Sequence, residues 1–240
     1  VWGTVAWYFG IPTSQSHSLI AGLTGAAIAL QGSFDAINGA EWIKVVYGIL
    51  LSTLLGFFLG WLNSKALGRV CRKKTSRFFR WAQVASGAGV AFMHGAQDGQ
   101  KFMSIFVLAI TLATGVGQAD QMILPIWLMF FCALNMGLGT AVGGERIIKS
   151  VGLDMVKLEP FQGFAASVAT FFCLMLSTFA GLPVSTTHTN TTAIMGVGAA
   201  KRKSAVKWGI AIDMVKTWVL TFPGCGLLGF AFAHLFLMFS

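Results

Sequence analysis

Apolar runs long enough to cross a bilayer recur along the chain, separated by short polar segments. The first, Val1 to Leu30, is broken at Gly10-Ile11-Pro12, since neither Gly nor Pro favours a helical ladder. A linker from Gln31 to Glu41 carries Asp35 and Glu41 and no Lys or Arg. Trp42 to Asn63 predicts a span. Lys65 to Arg80 is the most basic stretch and reads as a cytoplasmic loop. Trp81 to Gly115 is 35 residues long, more than one straight span needs at about 1.5 Å per residue. The polar run from His94 to Lys101 lies inside it, so the pattern predicts a broken helix. Leu124 to Val142 and Phe161 to Ala180 predict further spans, with a charged loop from Glu145 to Glu159 between them. Gly181-Leu182-Pro183 makes a second break. Val184 to Ala200 predicts a helical arm ending at Lys201-Arg202-Lys203. Ala205 to Phe222 and Gly224 to Met238 close the chain, with Pro223 as a kink or boundary.

Composition points the same way. Hydrophobic residues make up 55% of the 240 and charged residues 10%, against about 25% in soluble domains. Mean hydropathy is +0.73. The 29 glycines suit buried helices that approach closely. The net charge of +9 does not indicate nucleic acid, because the basic residues sit between apolar spans with no accompanying nucleic-acid motif. Cys71, Cys132, Cys173 and Cys225 form no C-x-x-C pair, which argues against zinc, and the last three fall in apolar stretches as buried thiols. No signal peptide is visible, and the chain opens at Val1 inside an apolar run, so the natural N-terminus is expected to lie upstream.

Gly10-Ile-Pro-Thr-Ser-Gln-Ser-His17-Ser18 matches Gly181-Leu-Pro-Val-Ser-Thr-Thr-His188-Thr189 at an offset of 171 residues. Gly25 then falls on Gly196 and Ala29 on Ala200, and an apolar span follows each copy. The first copy leads to an acidic linker and the second to Lys201-Arg202-Lys203, which the positive-inside rule places on opposite sides. The expected fold is an all-α integral membrane protein of inverted-topology repeats with broken helices or re-entrant hairpins. Residues 1–64 form the end of the first repeat, 65–80 a basic cytoplasmic loop, and 81–240 the second repeat. The plasma membrane is the expected location.

Each break frees backbone groups that protein, water or substrate must satisfy in lipid. A helix N-terminus beside hydroxyls is an anion site, which selects Thr13, Ser14, Ser16, Ser185, Thr186 and Thr187 for a phosphate-like anion. Simple capping is the alternative for Ser and Thr. His17 and His188 could orient hydroxyls, carry protons or bond substrate. Asp98 inside an apolar stretch needs a cation, a proton or Lys101 as partner. Unwound carbonyls with Gln97 and Gln100 would make Asp98 a cation (Na⁺) site; a structural Asp98–Lys101 pair is the alternative. Asp213 and Lys216 share the same spacing as a helix pair, Gln162 and Ser167 read as packing residues, and the eight tryptophans as interfacial belts.

Gly10–Ser18, His94–Lys101, Gly181–Thr189 and the Trp208…Trp218…Pro223 span together resemble the inorganic phosphate transporter (PiT) family over essentially the whole chain. The resemblance implies symport of phosphate with Na⁺ or H⁺, and two inverted halves, each with a Gly-x-Asn-Asp cluster and a Pro-x-Ser-x-x-His hairpin. Asp98, Ser14 and Ser185 match family positions, and His94 a family histidine. Gln97 stands where the family usually has Asn, and Ser167 where many members have an acid, four residues after Gly163. The first half's acidic cluster would fall about 73 residues before Val1 by the 171-residue offset. The expected partners are inorganic phosphate, a coupling cation and the bilayer, with no resident cofactor and no nucleic acid; a homo-oligomer stays open. A membrane hydrolase using Ser185, His188 and Asp98 is a competing function, and a passive anion channel another.

Overall fold

The computed structural model describes residues 1–70, 76–114, 124–182 and 184–239. Cys71, the centre of the basic stretch, the turn near Gly117 and Pro183 lie outside the described residues. The helices are α1 Trp2–Tyr8, α2 Gln15–Gln31, α3 Gly39–Val70, α4 Ser76–Thr114, α5 Ile126–Gly143, α6 Glu145–Lys149, α7 Pro160–Phe179, α8 Thr186–Lys201 and α9 Trp208–Phe239. Among the described residues there is no strand, and Val156 and Val206 form an isolated bridge. Helices α3, α5, α7 and α9 are each long and apolar enough to cross a membrane. Leu54, Phe130, Leu134, Val219 and Phe236 point outward from them, as a lipid-facing surface requires. This is the all-α integral membrane class that the hydropathy pattern predicts.

Glycine decides which helices pair. A Cβ on Gly25 of α2 would collide with the Gly226 carbonyl of α9, and one on Gly196 of α8 with the Phe57 carbonyl of α3. Gly229 meets the Gly22 carbonyl and Gly60 the Ala193 carbonyl in the same way. Each pair runs side by side in one direction: His17 meets Phe222 where Gly25 meets Phe230 further along, and Gly56 meets Thr189 where Trp61 meets Gly196 further along. The two interfaces correspond at the repeat offset: Gly25 matches Gly196, and Gly22 matches Ala193. Each hairpin arm therefore packs on the span that follows the other copy. Helix α4 lies along α7 through Phe79 on Phe161 (5.3 Å) and Gly89 on Phe171.

Gly10 (φ 69°) and Gly181 (φ 64°) supply left-handed turns at the two breaks. Ser14 and Ser185 cap the helices that follow, accepting from the backbone N–H of His17 (3.3 Å) and His188 (3.2 Å).

Four expectations need correction. Helix α4 is continuous for 39 residues, through His94 to Lys101. Glycines inside a helix cost only about 1 kcal/mol each. An opened ladder in an apolar setting leaves unpaired N–H and C=O groups at several times that cost. Of the kink or boundary expected at Pro223, the boundary is not found, because α9 runs through it. The basic loop is shorter than 65–80, because Lys65 and Arg69 lie on α3 and Arg77 and Arg80 on α4. The segment Glu145–Glu159 is not an open loop. It holds α6 and a π-helical turn, Ser150–Met155, and buries Val151, Met155 and Val156 against Val197, Val206 and Trp218.

Candidate functional site

The two breaks meet. Thr187 donates its hydroxyl to the Thr13 carbonyl at 3.3 Å, and the rings of His17 and His188 lie 4.9 Å apart, edge to face. Helices α2 and α8 thus start toward one another, which brings two sets of unbonded N-terminal N–H groups to one place.

Helix α4 crosses beside this junction and presents Asp98 to it. Oδ1 accepts from Lys101 Nζ (2.9 Å) and from the Ser16 hydroxyl (3.2 Å). Oδ2 accepts from His94 Nε2 (2.8 Å) and from the Thr186 hydroxyl (3.2 Å). One buried carboxylate therefore ties α4 to both tips. The i, i+4 and i, i+3 spacings that aim His94 and Lys101 at Asp98 exist because α4 stays helical. Lys101 also donates to Ser16 Oγ at 2.7 Å and to the Val184 carbonyl at 3.4 Å.

The structure gathers most of the sequence-selected residues. Thr13, Ser14, Ser16, Ser185 and Thr186 are buried at the junction, with Thr187 half-buried beside them. Gln97 is buried but faces α7, where Nε2 donates to the Leu174 carbonyl (3.1 Å) and the Thr178 hydroxyl (2.8 Å). Gln100 is not brought in: two residues past Asp98 on a helix, it faces about 200° away and is exposed. Unwound carbonyls are absent from the described part of α4 as well, since the ladder there is intact. On the phosphate transport that the sequence resemblance implies, Gln100→Ala should leave uptake within about twofold of wild type. A tenfold or greater loss in a vesicle uptake assay would return Gln100 to the site.

His94 holds Asp98 directly. His17 and His188 orient no hydroxyl: their ring nitrogens have no hydrogen-bond partner among the described residues. His188 stacks on Trp218 at 3.9 Å, and Trp218 donates to the Pro12 carbonyl at 3.0 Å, so this tryptophan supports both tips. It is not part of an interfacial belt, and the sequence pattern, which ends this span at Phe222, places Trp218 four residues from an end and gives no signal of the contact. Asp213 and Lys216 pair at 3.0 Å on the exposed face of α9, away from the junction. Gln162 closes a capping box at the start of α7 rather than merely packing.

A cavity of about 530 Å³ opens beside the junction. Thr13, His94, Thr186, Thr187, Asn190 and Thr191 supply its polar wall, and Val151 and Leu158 close it from the side of the π-helical turn. Asn190 and Thr191 were missed by sequence reasoning, although the run Thr186-Thr-His-Thr-Asn-Thr-Thr192 is unusually polar for a buried helix.

Apolar spans enclosing two broken arms that converge on a buried carboxylate define a helical membrane transport protein. The chain matches the phosphate transporter family over residues 1–75 and 63–229, and it belongs to that family. It is 39% identical over 232 residues to a probable low-affinity inorganic phosphate transporter of Bacillus subtilis (strain 168), covering 95% of this chain and 69% of the relative. A protein of the same description from Mycobacterium tuberculosis (strain ATCC 25618 / H37Rv) is 36% identical over 237 residues, covering 95% and 56%. The chain thus spans between just over half and about two-thirds of the length of these relatives. A solved structure titled "The sodium-dependent phosphate transporter" shares the fold, with a TM-score of 0.83 at 20% identity over 99% of this chain and 76% of that one.

Proposed function

We propose that this protein imports inorganic phosphate in symport with a cation, Na⁺ or H⁺, by alternating access, and that the junction of the two tips is the phosphate site. The observation that carries this reading is the double grip on Asp98, by Ser16 from one tip and Thr186 from the other. Hydroxyls that now donate to a carboxylate can donate equally to a phosphate oxygen. The N–H groups opening α2 and α8, with Thr13, Ser14, Ser185 and Thr187, complete a donor-rich shell that replaces water around an oxyanion. The charge of Asp98 is balanced at once by Lys101, so an anion approaching the tips does not face an uncompensated carboxylate.

The helix directions support an inverted repeat. Helices α2 and α9 run the same way, as do α3 and α8. Short turns reverse the chain between α2 and α3 and between α8 and α9, so α2 and α8 oppose each other. Copies of opposite sense around one site are the parts that rock in alternating access. The cavity adjoins the start of α4 through Gln83 and the α6–π turn. That is the side of Lys65, Arg80 and the Lys201–Glu159 pair (2.7 Å), which the positive-inside rule makes cytoplasmic. On this reading the cavity lies toward the cytoplasmic side.

Reconstituted vesicles test this. Labelled phosphate should accumulate above its external concentration when a cation gradient is imposed, and collapse of that gradient should stop it. Equilibration without accumulation would identify a channel. Turnover of a phosphate ester without uptake would identify a hydrolase. Geometry disfavours the hydrolase: Ser185 Oγ is used as a cap, and the His188 ring has no bond to it.

A further inference from the structure

We propose that Lys101 is a built-in cation: its ammonium fills the cation site at Asp98, so that no exchangeable Na⁺ binds there. Nζ is surrounded by three oxygens from three elements, Asp98 Oδ1 on α4 (2.9 Å), Ser16 Oγ at the first tip (2.7 Å) and the Val184 carbonyl before the second (3.4 Å). Carboxylate, hydroxyl and main-chain carbonyl are the oxygen types that hard cations take. An ammonium offers three N–H donors and no acceptor, so it meets such a set with one bond per oxygen. Without phosphate at the tips, the carboxylate has no side left for a free ion. Oδ1 already faces Lys101 and Ser16, and Oδ2 faces His94 and Thr186. A free ion would also have to displace a positive charge tethered one helical turn away.

The binding claim stands on this geometry alone. Its consequence for transport rests on the phosphate symport reading: a tethered charge is never released, so each cycle moves one cation fewer through this site than a free ion would supply.

The test is thermal unfolding of the purified protein in lipid nanodiscs, in NaCl against choline chloride at equal ionic strength. Wild type and Asp98→Asn should show the same sodium response, because Asp98 contributes none. Lys101→Met keeps an apolar stem and removes the charge. It should unfold earlier than wild type in choline and recover by roughly 3 °C or more in NaCl, as ligand linkage requires. The double variant Asp98→Asn/Lys101→Met should lose that recovery. In vesicles, Lys101→Met uptake should become at least about tenfold more dependent on sodium than wild type. A sodium stabilisation of wild type that Asp98→Asn abolishes would overturn the proposal, and this comparison decides even if Lys101→Met does not fold. A folded Lys101→Met that ignores sodium would overturn it equally. Absence of phosphate uptake by wild type would sink the transport reading and leave the sodium result intact.

Discussion

Asp98→Asn should lower the initial rate of coupled phosphate uptake by roughly a hundredfold or more. The carboxylate accepts from four donors on three elements. An amide has one acceptor oxygen, and its NH₂ would be turned toward two of those donors. Lys101 would keep its charge without a counter-charge, and removing one partner of a buried pair costs about 3–5 kcal/mol. Falling on the transition between the two access states, that loss corresponds to a factor of roughly 10² to several thousand. Turnover should suffer more than binding, because the released ammonium can pair with phosphate directly. Uptake in vesicles, normalised to reconstituted folded protein, reads this. Wild-type rates in Asp98→Asn would remove Asp98 from the mechanism.

The largest effect on stability should come from Gly196→Val. The added Cβ would collide with the Phe57 carbonyl and lie 2.9 Å from the carbonyl carbon of Phe57 and from the N of Trp61. These are backbone atoms of α3, so no side chain can swing aside, and the two helices must part. Loss of close packing and the strain together should exceed about 3 kcal/mol, enough to remove most folded protein. Gly25→Val should do the same at the matching α2–α9 contact, where the Gly226 carbonyl blocks the position. Gly139 has open space around it, so Gly139→Ala should be tolerated. Monodisperse yield after extraction and the unfolding midpoint test this series. A Gly196→Val protein melting within about 2 °C of wild type would refute the close-packing account.

The breaks could be read in the sequence because their causes are local. Gly10 and Gly181 need a left-handed turn, and a Ser four residues on caps the next helix in each copy. Duplication of that short pattern is what points to the junction. In the middle of α4, polarity does not signal a broken backbone. In lipid the intact ladder is worth more than the preference of two glycines, and polar side chains are satisfied across helices instead. The helical register kept in this way puts Gln100 on the far face from Asp98. Lys101 beside Asp98 was legible from its spacing. Its bonds to Ser16 and Val184 were not, because partners 85 and 83 residues away in sequence depend on how the tips fold together. Trp218 illustrates the limit from the other side: its contact with His188 depends on the first turn of α8 meeting a point eleven residues into α9, which no local pattern gives.

The claim on which the rest depends is that phosphate sits between the two tips, within reach of Asp98's hydroxyl donors. A structure determined in lipid nanodiscs at saturating phosphate tests it directly. The account predicts oxyanion density bounded by Thr13, Ser14, Ser16, Ser185, Thr186 and Thr187, with the Asp98–Lys101 pair alongside. Density elsewhere, with the Ser16 and Thr186 hydroxyls still on Asp98, would contradict it.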